Sequence, residues 1–269
     1  MKTIAARALQ AAPLFLFLLL WQAASVFYPD ATFFIGSPLG IADVIVAMLD
    51  SDRSAILAWS AGADPAAAAR EGLVLNMAVT GGEALTGFVI GNLLGAAVGM
   101  VLGVDHRVAF IARPYFVALG AVPVFALAPL TILWFGIGIT AKVGLAALAT
   151  FFIASAQAFK AIEEIDPLYS RRLKLMGARR WVVFRRLLLP ASMVWIVASL
   201  RLTIGAALLG AFLGELIASD HGLGRLIMRA SGLYDTSRVM TGVLAIIVIA
   251  MFFDYAVSKM EKRLIRWER

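Results

Sequence analysis

Residues 9–28, 84–104 and 114–141 each run for 20 residues or more without a single Asp, Glu, Lys or Arg. A helix rises about 1.5 Å per residue, so roughly 20 such residues cross the ~30 Å hydrocarbon layer of a bilayer. There the backbone N–H and C=O groups must be satisfied within the segment, which makes these runs helices. Two further runs, 190–214 and 239–258, are interrupted only by Arg201 and by Asp254. Charged residues make up 15% of the chain, where an ordinary soluble domain carries about 25%. The expectation is therefore an all-α polytopic membrane protein forming one domain over residues 1–269, with six transmembrane helices near 9–28, 76–104, 114–134, 141–160, 190–214 and 239–258. The first run is longer than the apolar core of about 7–15 residues in a signal peptide and lacks a clear small-x-small cleavage site, so it is read as a span.

Cytoplasmic loops collect Lys and Arg, and this bias orients the chain. With both termini inside, 17 of the 24 basic residues fall in the cytoplasm. They are Lys2, Arg7, Arg107, Arg113, Lys160, the cluster from Arg171 to Arg186, and the tail from Lys259 onward. The net charge of +7 is thus mostly an orientation signal, and no polar domain exists to bind nucleic acid. The chain has no cysteine and two histidines, His106 and His221, which excludes thiol chemistry and a histidine-rich metal centre. No G-x-x-x-x-G-K-[ST] stretch is present to cradle phosphates. No catalytic residue, metal ligand or cofactor site is expected in this chain.

Several local patterns carry structure. Gly87, Gly91, Gly95, Gly99 and Gly103 recur every four residues along one helix face, where another backbone can approach closely. "WFGIGITAK" reads as a turn between the third and fourth spans. The extracytoplasmic segment 29–75 contains a short amphipathic helix, with Ser37 as its cap and Pro38 at its first position, and then a small-residue loop. The cytoplasmic loop 161–189 contains a helix from about Pro167 to Met176, with Asp166 as N-cap and Gly177 as left-handed C-terminus, and a second helix beginning near Ala178. On the second helix arginines and aromatics alternate around the circumference, leaving no clean apolar face for lipid. That favours insertion into a protein groove, with lipid contact and plain anchoring as the other readings.

"LMGARRWVVFRRLLLP" (175–190) resembles the cytoplasmic coupling loop of ABC importer permeases, through Gly177, Ala178, Phe184, Leu187, Leu189 and Pro190. "VPVFALAPLTILWFGIG", "SLRLTIGAALLGAFLGEL", "HGLGRLI" and "RLIRW" are similar to the nitrate/sulfonate/taurine type of these permeases. The chain departs from the family's Glu-Ala-Ala pattern, having Arg171, Arg172 and Leu173 in its place. The resemblance implies a type I importer permease in a bacterial cytoplasmic membrane. Its implied partners are a second permease copy, two cytoplasmic ATPase subunits that hold ATP and Mg²⁺, and an extracytoplasmic substrate-binding protein. The ATPase-coupling candidates are Arg171, Arg172, Met176, Gly177, Ala178, Trp181 and Phe184.

Arg201 lies eleven residues beyond Pro190, roughly 16 Å along a helix. An ionisable group at that depth is a pathway candidate, favouring a small anion such as a sulfonate, nitrate or carboxylate, or else a structural partner of Glu215. Thr203, Glu215, Asn92, Gln157, Trp134 and Phe135 complete the pathway candidates. Asn92, Gln157 and Thr203 could equally bond across helices, and Trp134 and Phe135 could belong to an interfacial belt. Asp254 is expected to pair with a nearby Lys or Arg. An ion-coupled carrier or channel acting without an ATPase is the alternative function, and it leaves the glycine-turned loop unexplained.

Overall fold

The structure, a computed structural model, describes residues 2–28, 33–61, 70–120, 122–217 and 219–264. Among them the ordered elements are all helical: α1 Lys2–Phe27, α2 Pro38–Ser60, α3 Leu73–Val104, α4 His106–Gly120, α5 Ala128–Phe135, α6 Ile139–Glu163, α7 Pro167–Leu175, α8 Arg180–Val183, α9 Leu189–Ile217, α10 Leu223–Gly232 and α11 Thr236–Leu264. The described residues form two compact units: those of 1–78 with 220–247, and those of 79–219 with 248–269.

Four stretches are long and apolar enough to cross a membrane, namely Leu73–Val104, Ile139–Glu163, Arg180–Ile217 and Thr236–Arg263. Phe15–Phe27 and Val124–Phe135 are shorter apolar helices. The expected third span, 114–134, is not one helix. α4 ends at Gly120, a tight 3₁₀ turn occupies Val124–Leu127, and α5 starts at Ala128. Pro123, with φ −69° and ψ 112°, explains the break, because a proline holds the residue before it out of the α region. The expected turn after it is present: Gly136 (φ 77°) and Gly138 (φ 147°) adopt conformations that a side chain would disfavour.

The second unit is built on the glycine face. A Cβ at Gly87 would overlap Ala146, at Gly91 the Thr150 hydroxyl, and at Gly99 the Ser155 carbonyl. At Gly95 it would stand 2.6 Å from the Phe151 carbonyl. Rising numbers on α3 meet rising numbers on α6, so these helices run in the same direction. The chain between them therefore returns from one end to the other through α4, the broken turn and α5. On the other side of α6, a Cβ at Gly210 of α9 would lie 2.7 Å from Ala146 Cα, and one at Gly214 would lie 3.1 Å from Lys142 Cα. There the numbers run in opposite directions. α6 is thus the buried centre of the second unit, gripped by glycine faces from both neighbours, and Thr150 Oγ1 donates across the first of them to the Gly87 carbonyl at 3.2 Å.

In the first unit, Ser37 caps α2 by accepting the Gly40 N–H at 3.0 Å, with Pro38 at the first helical position. The helix is longer than its sequence pattern foretells and continues through Asp52 and Arg53 to Ser60. Asp52 is polar yet buried because its carboxylate accepts the N–H groups of Val74 at 2.7 Å and Leu75 at 3.1 Å, satisfying the orphan donors that open α3. Asn76 works similarly, accepting the Gly222 N–H at 2.6 Å. Glu71 pairs with Arg229 and with Arg238, the latter at 3.0 Å. The small-residue loop at 62–69 lies outside the described residues.

Gly91→Leu is expected to prevent α3 from seating on α6, because the side chain would meet Thr150 and the Ala147 carbonyl together. Overpacking a tight core costs about 1–3 kcal/mol where neighbours can yield, and here the neighbour is backbone. The variant should lose most of its monodisperse yield in detergent, whereas Gly82→Leu, where a Cβ meets nothing within 4 Å, should purify like the wild type.

Candidate functional site

The loop between α6 and α9 folds largely as its sequence indicates. Asp166 accepts the Leu168 N–H at 2.8 Å and starts α7. Gly177, at φ 83°, ends it as the Gly177 N–H reaches the Lys174 carbonyl and the Ala178 N–H the Leu173 carbonyl, both at 3.0 Å. The second helix starts at Arg180, two residues later than expected, and does not stop at the loop's end. One wide turn over Phe184–Leu188, closed by the Leu189 N–H on the Phe184 carbonyl, joins it directly to α9. This turn leads into Pro190, which lacks an N–H for the regular helical bond.

The loop is anchored at its base and bare at its tip. Ile162, Val183 and Leu188 form a small buried cluster, against which Met100, Leu173, Ala178 and Phe184 pack. Trp181 stacks on Phe184 at 5.6 Å between ring centres. The Gly177 turn leaves Leu175 88% and Met176 83% exposed, with Arg171 and Arg172 also exposed beside them. Among the coupling candidates, then, Gly177 shapes the tip, Ala178 and Phe184 hold the base, and Met176, Trp181, Arg171 and Arg172 face outward. Asp105, between α3 and α4, accepts the Arg107 N–H at 2.9 Å; that bond, aided by the charge of Arg180, keeps its carboxyl below the ordinary carboxylate range.

The seven pathway candidates separate into five places. Arg201 does not meet Glu215. Its guanidinium donates to Ser258 Oγ and faces Asp254 at 3.4 Å and Glu261 at 3.7 Å, all on α11. The expected basic partner of Asp254 is thus Arg201. Asn92 and Thr203 are buried and bonded to each other across α3 and α9 at 3.0 Å, so they join helices. Trp134 and Phe135 are exposed at the end of α5.

Glu215 is buried in a group that the sequence pattern did not assemble. It accepts the Thr80 hydroxyl at 2.7 Å, and Glu83, on α3, lies within reach of it. Lys142, on the first turn of α6, forms an ion pair with Glu83 and donates to Ser219 Oγ at 3.0 Å. Lys142, Glu83 and Glu215 are each no more than 5% exposed. Two signals were available: Lys142 is the lone charge between residues 114 and 159, and Glu83 stands immediately before a charge-free run.

Gln157 alone of the candidates lines a cavity, of about 450 Å³, within the second unit. One wall is the α6 face carrying Phe152, Ile153 and Gln157, another is the α9 face carrying Leu209 and Leu213, and the chain around Phe125 closes a third. No charged residue lines it. Among the described residues no cluster of His, Cys, Asp and Glu is arranged to hold a metal ion.

Comparison with known proteins gives a consistent set of matches. The family described as binding-protein-dependent transport system inner membrane component matches residues 73–266. The putative aliphatic sulfonates transport permease SsuC of Bacillus subtilis is 31% identical over 69% of this chain and 67% of its own. The riboflavin transport system permease RibX of Chloroflexus aurantiacus is 36% identical over 58% of each, so the chain spans little more than half of that relative. The taurine transport permease TauC of Escherichia coli is 30% identical over 65% of this chain and 64% of its own. In fold, a chain of the inward-facing MetNI methionine ABC transporter superposes with a TM-score of 0.63 at 17% identity, over 71% of this chain and 95% of that one.

Lys142→Met is expected to destabilise the second unit strongly, because it leaves two buried carboxylates without a counter-charge; breaking a buried pair from one side costs about 3–5 kcal/mol. A thermal unfolding scan in detergent should show the loss, and Lys142→Met combined with Glu83→Met should recover much of it.

Proposed function

Because the chain belongs to the family of binding-protein-dependent transport system inner membrane components, we propose that it is the membrane subunit of an ATP-driven importer whose engine docks on the 161–189 loop. It is a transport permease subunit, not an enzyme. The carrying observation is the tip formed by Leu175, Met176 and Trp181, apolar and exposed, with the loop's base packed on α3 and α6 by the cluster around Ile162, Val183 and Leu188. Apolar groups of that size at a polar, arginine-rich loop suit insertion into a protein groove. Two cytoplasmic ATPase subunits supply that groove and bind ATP and Mg²⁺. A second copy of this chain completes the permease, and an extracytoplasmic binding protein delivers the solute. The ordinary site of the assembly is the bacterial inner membrane.

Coupling follows from the anchoring. Closure of the ATPase pair displaces the loop tip, and since α8 passes into α9 through a single wide turn, the displacement reaches the buried α6–α9 pair with little slack. An ion-coupled carrier has no use for this tip. The anionic-solute expectation loses its main support, since Arg201 is already paired with two carboxylates. SsuC and TauC are named for sulfonates and RibX for riboflavin, so family kinship alone leaves the solute's charge open.

Purification from gently solubilised membranes is expected to recover an ATPase subunit with the wild-type chain. Leu175→Glu with Met176→Glu should lower that recovery at least about tenfold, equivalent to about 1.4 kcal/mol of binding. Gly177→Pro should do the same, since proline cannot adopt φ 83°. Recovery unchanged in both would refute the docking surface.

A further inference from the structure

We propose that the cavity between α6, α9 and the residues Gly120, Val122, Val124 and Phe125 binds an uncharged, planar heteroaromatic solute, with Gln157 reading its hydrogen-bonding edge. This rests on the importer reading and adds the solute's chemical class.

The size comes first. A volume of about 450 Å³ lies within the ~300–1,000 Å³ typical of small-molecule sites. The walls follow from helix geometry. Ile153 and Gln157, four residues apart, share one face of α6, with Phe152 at its edge, and Leu209 and Leu213, also four apart, share one face of α9. On the two helix walls the groups between these are small, namely Ala149, Ala156, Ala206 and Gly210, and Val122 and Val124 add branched apolar groups from the third side. Phe125 and Phe152 in the lining favour a ring system, which packs on aromatic side chains with specific geometry.

Charge decides the rest. No Lys, Arg, His, Asp or Glu lines the cavity, so an ion entering it would lose water and gain no counter-charge. The two intramembrane cations that could have served are committed elsewhere: Lys142 to Glu83, and Arg201 to Asp254 and Glu261. Gln157 is the one polar side chain in the lining, and it is half-buried there. An amide offers both donors and an acceptor. Heterocycles with adjacent ring N–H and C=O groups present the complementary pair. An acyl chain would leave the amide unmet, and a sulfonate would be left without a cation.

Lumichrome, an uncharged three-ring heterocycle with its own fluorescence, is the probe. The chain, together with whatever subunits copurify, would be placed in lipid nanodiscs and titrated while fluorescence anisotropy is read. The expected result is a saturable rise that a large excess of ethanesulfonate does not reverse. Gln157→Leu should weaken binding about tenfold, the effect of one lost hydrogen bond to a buried partner, and Ala156→Trp, which fills the cavity, should abolish it. Should Ala156→Trp fail to give a monodisperse protein, Gln157→Leu decides alone. No saturable rise with the wild type, equal affinity in Gln157→Leu, or displacement by ethanesulfonate would each overturn the proposal. An ATPase subunit present in the nanodiscs without lumichrome binding would sink this inference and leave the importer reading standing. Binding to a chain that never recruits an ATPase would do the reverse.

Discussion

Everything in the second unit depends on how closely backbone can approach α6. Lipid tails are as apolar as leucine, so burial of greasy side chains does little to bring membrane helices together; close packing and interhelical hydrogen bonds do it instead. Here glycines on α3 meet α6 from one side, and Gly210 and Gly214 on α9 meet it from the other. Once backbones are that near, small polar groups reach across, as Thr150 does to Gly87 and Thr203 to Asn92. The buried ion pair of Lys142 with Glu83, beside Glu215 and Ser219, closes the same three segments together at one end.

That close packing gives the loop and the cavity their relation to each other. α6 carries Gln157 into the cavity, and one and a half turns later Ile162 into the cluster that anchors the loop. α9 supplies the facing cavity wall and is continuous, through the wide turn, with α8 and Trp181. A push on Met176 therefore acts on the two helices that shape the cavity, with no flexible linker between.

Much of this was legible in the sequence because the signals are local. The glycine ladder, the Asp166 and Ser37 caps, the left-handed Gly177 and the turn at Gly136 to Gly138 each rest on a backbone preference within a few residues, and all appear where expected. The break near Pro123 was less legible, because hydropathy runs on unbroken through residues that the backbone cannot make helical. The pairing of charges was illegible in kind. Arg201 has no local feature to choose Asp254 over Glu215, a choice made by which helix lies beside α9 at that depth. Likewise Asp52 reads as a surface residue until the start of α3 is placed over it. Of the seven pathway candidates, periodicity alone could not tell Gln157, which lines the cavity, from Asn92, which joins helices, since both are lone amides in apolar spans.

Because the loop tip is exposed, site-specific photocrosslinking tests the central claim directly. A benzophenone amino acid at Met176, irradiated in intact cells, should capture a polypeptide bearing a phosphate-binding G-x-x-x-x-G-K-[ST] loop, while the same group at Leu133, exposed on α5, should not. Capture at Met176 of lipid alone, or of nothing, would contradict the assignment of this loop as the joint between an ATPase and the membrane helices.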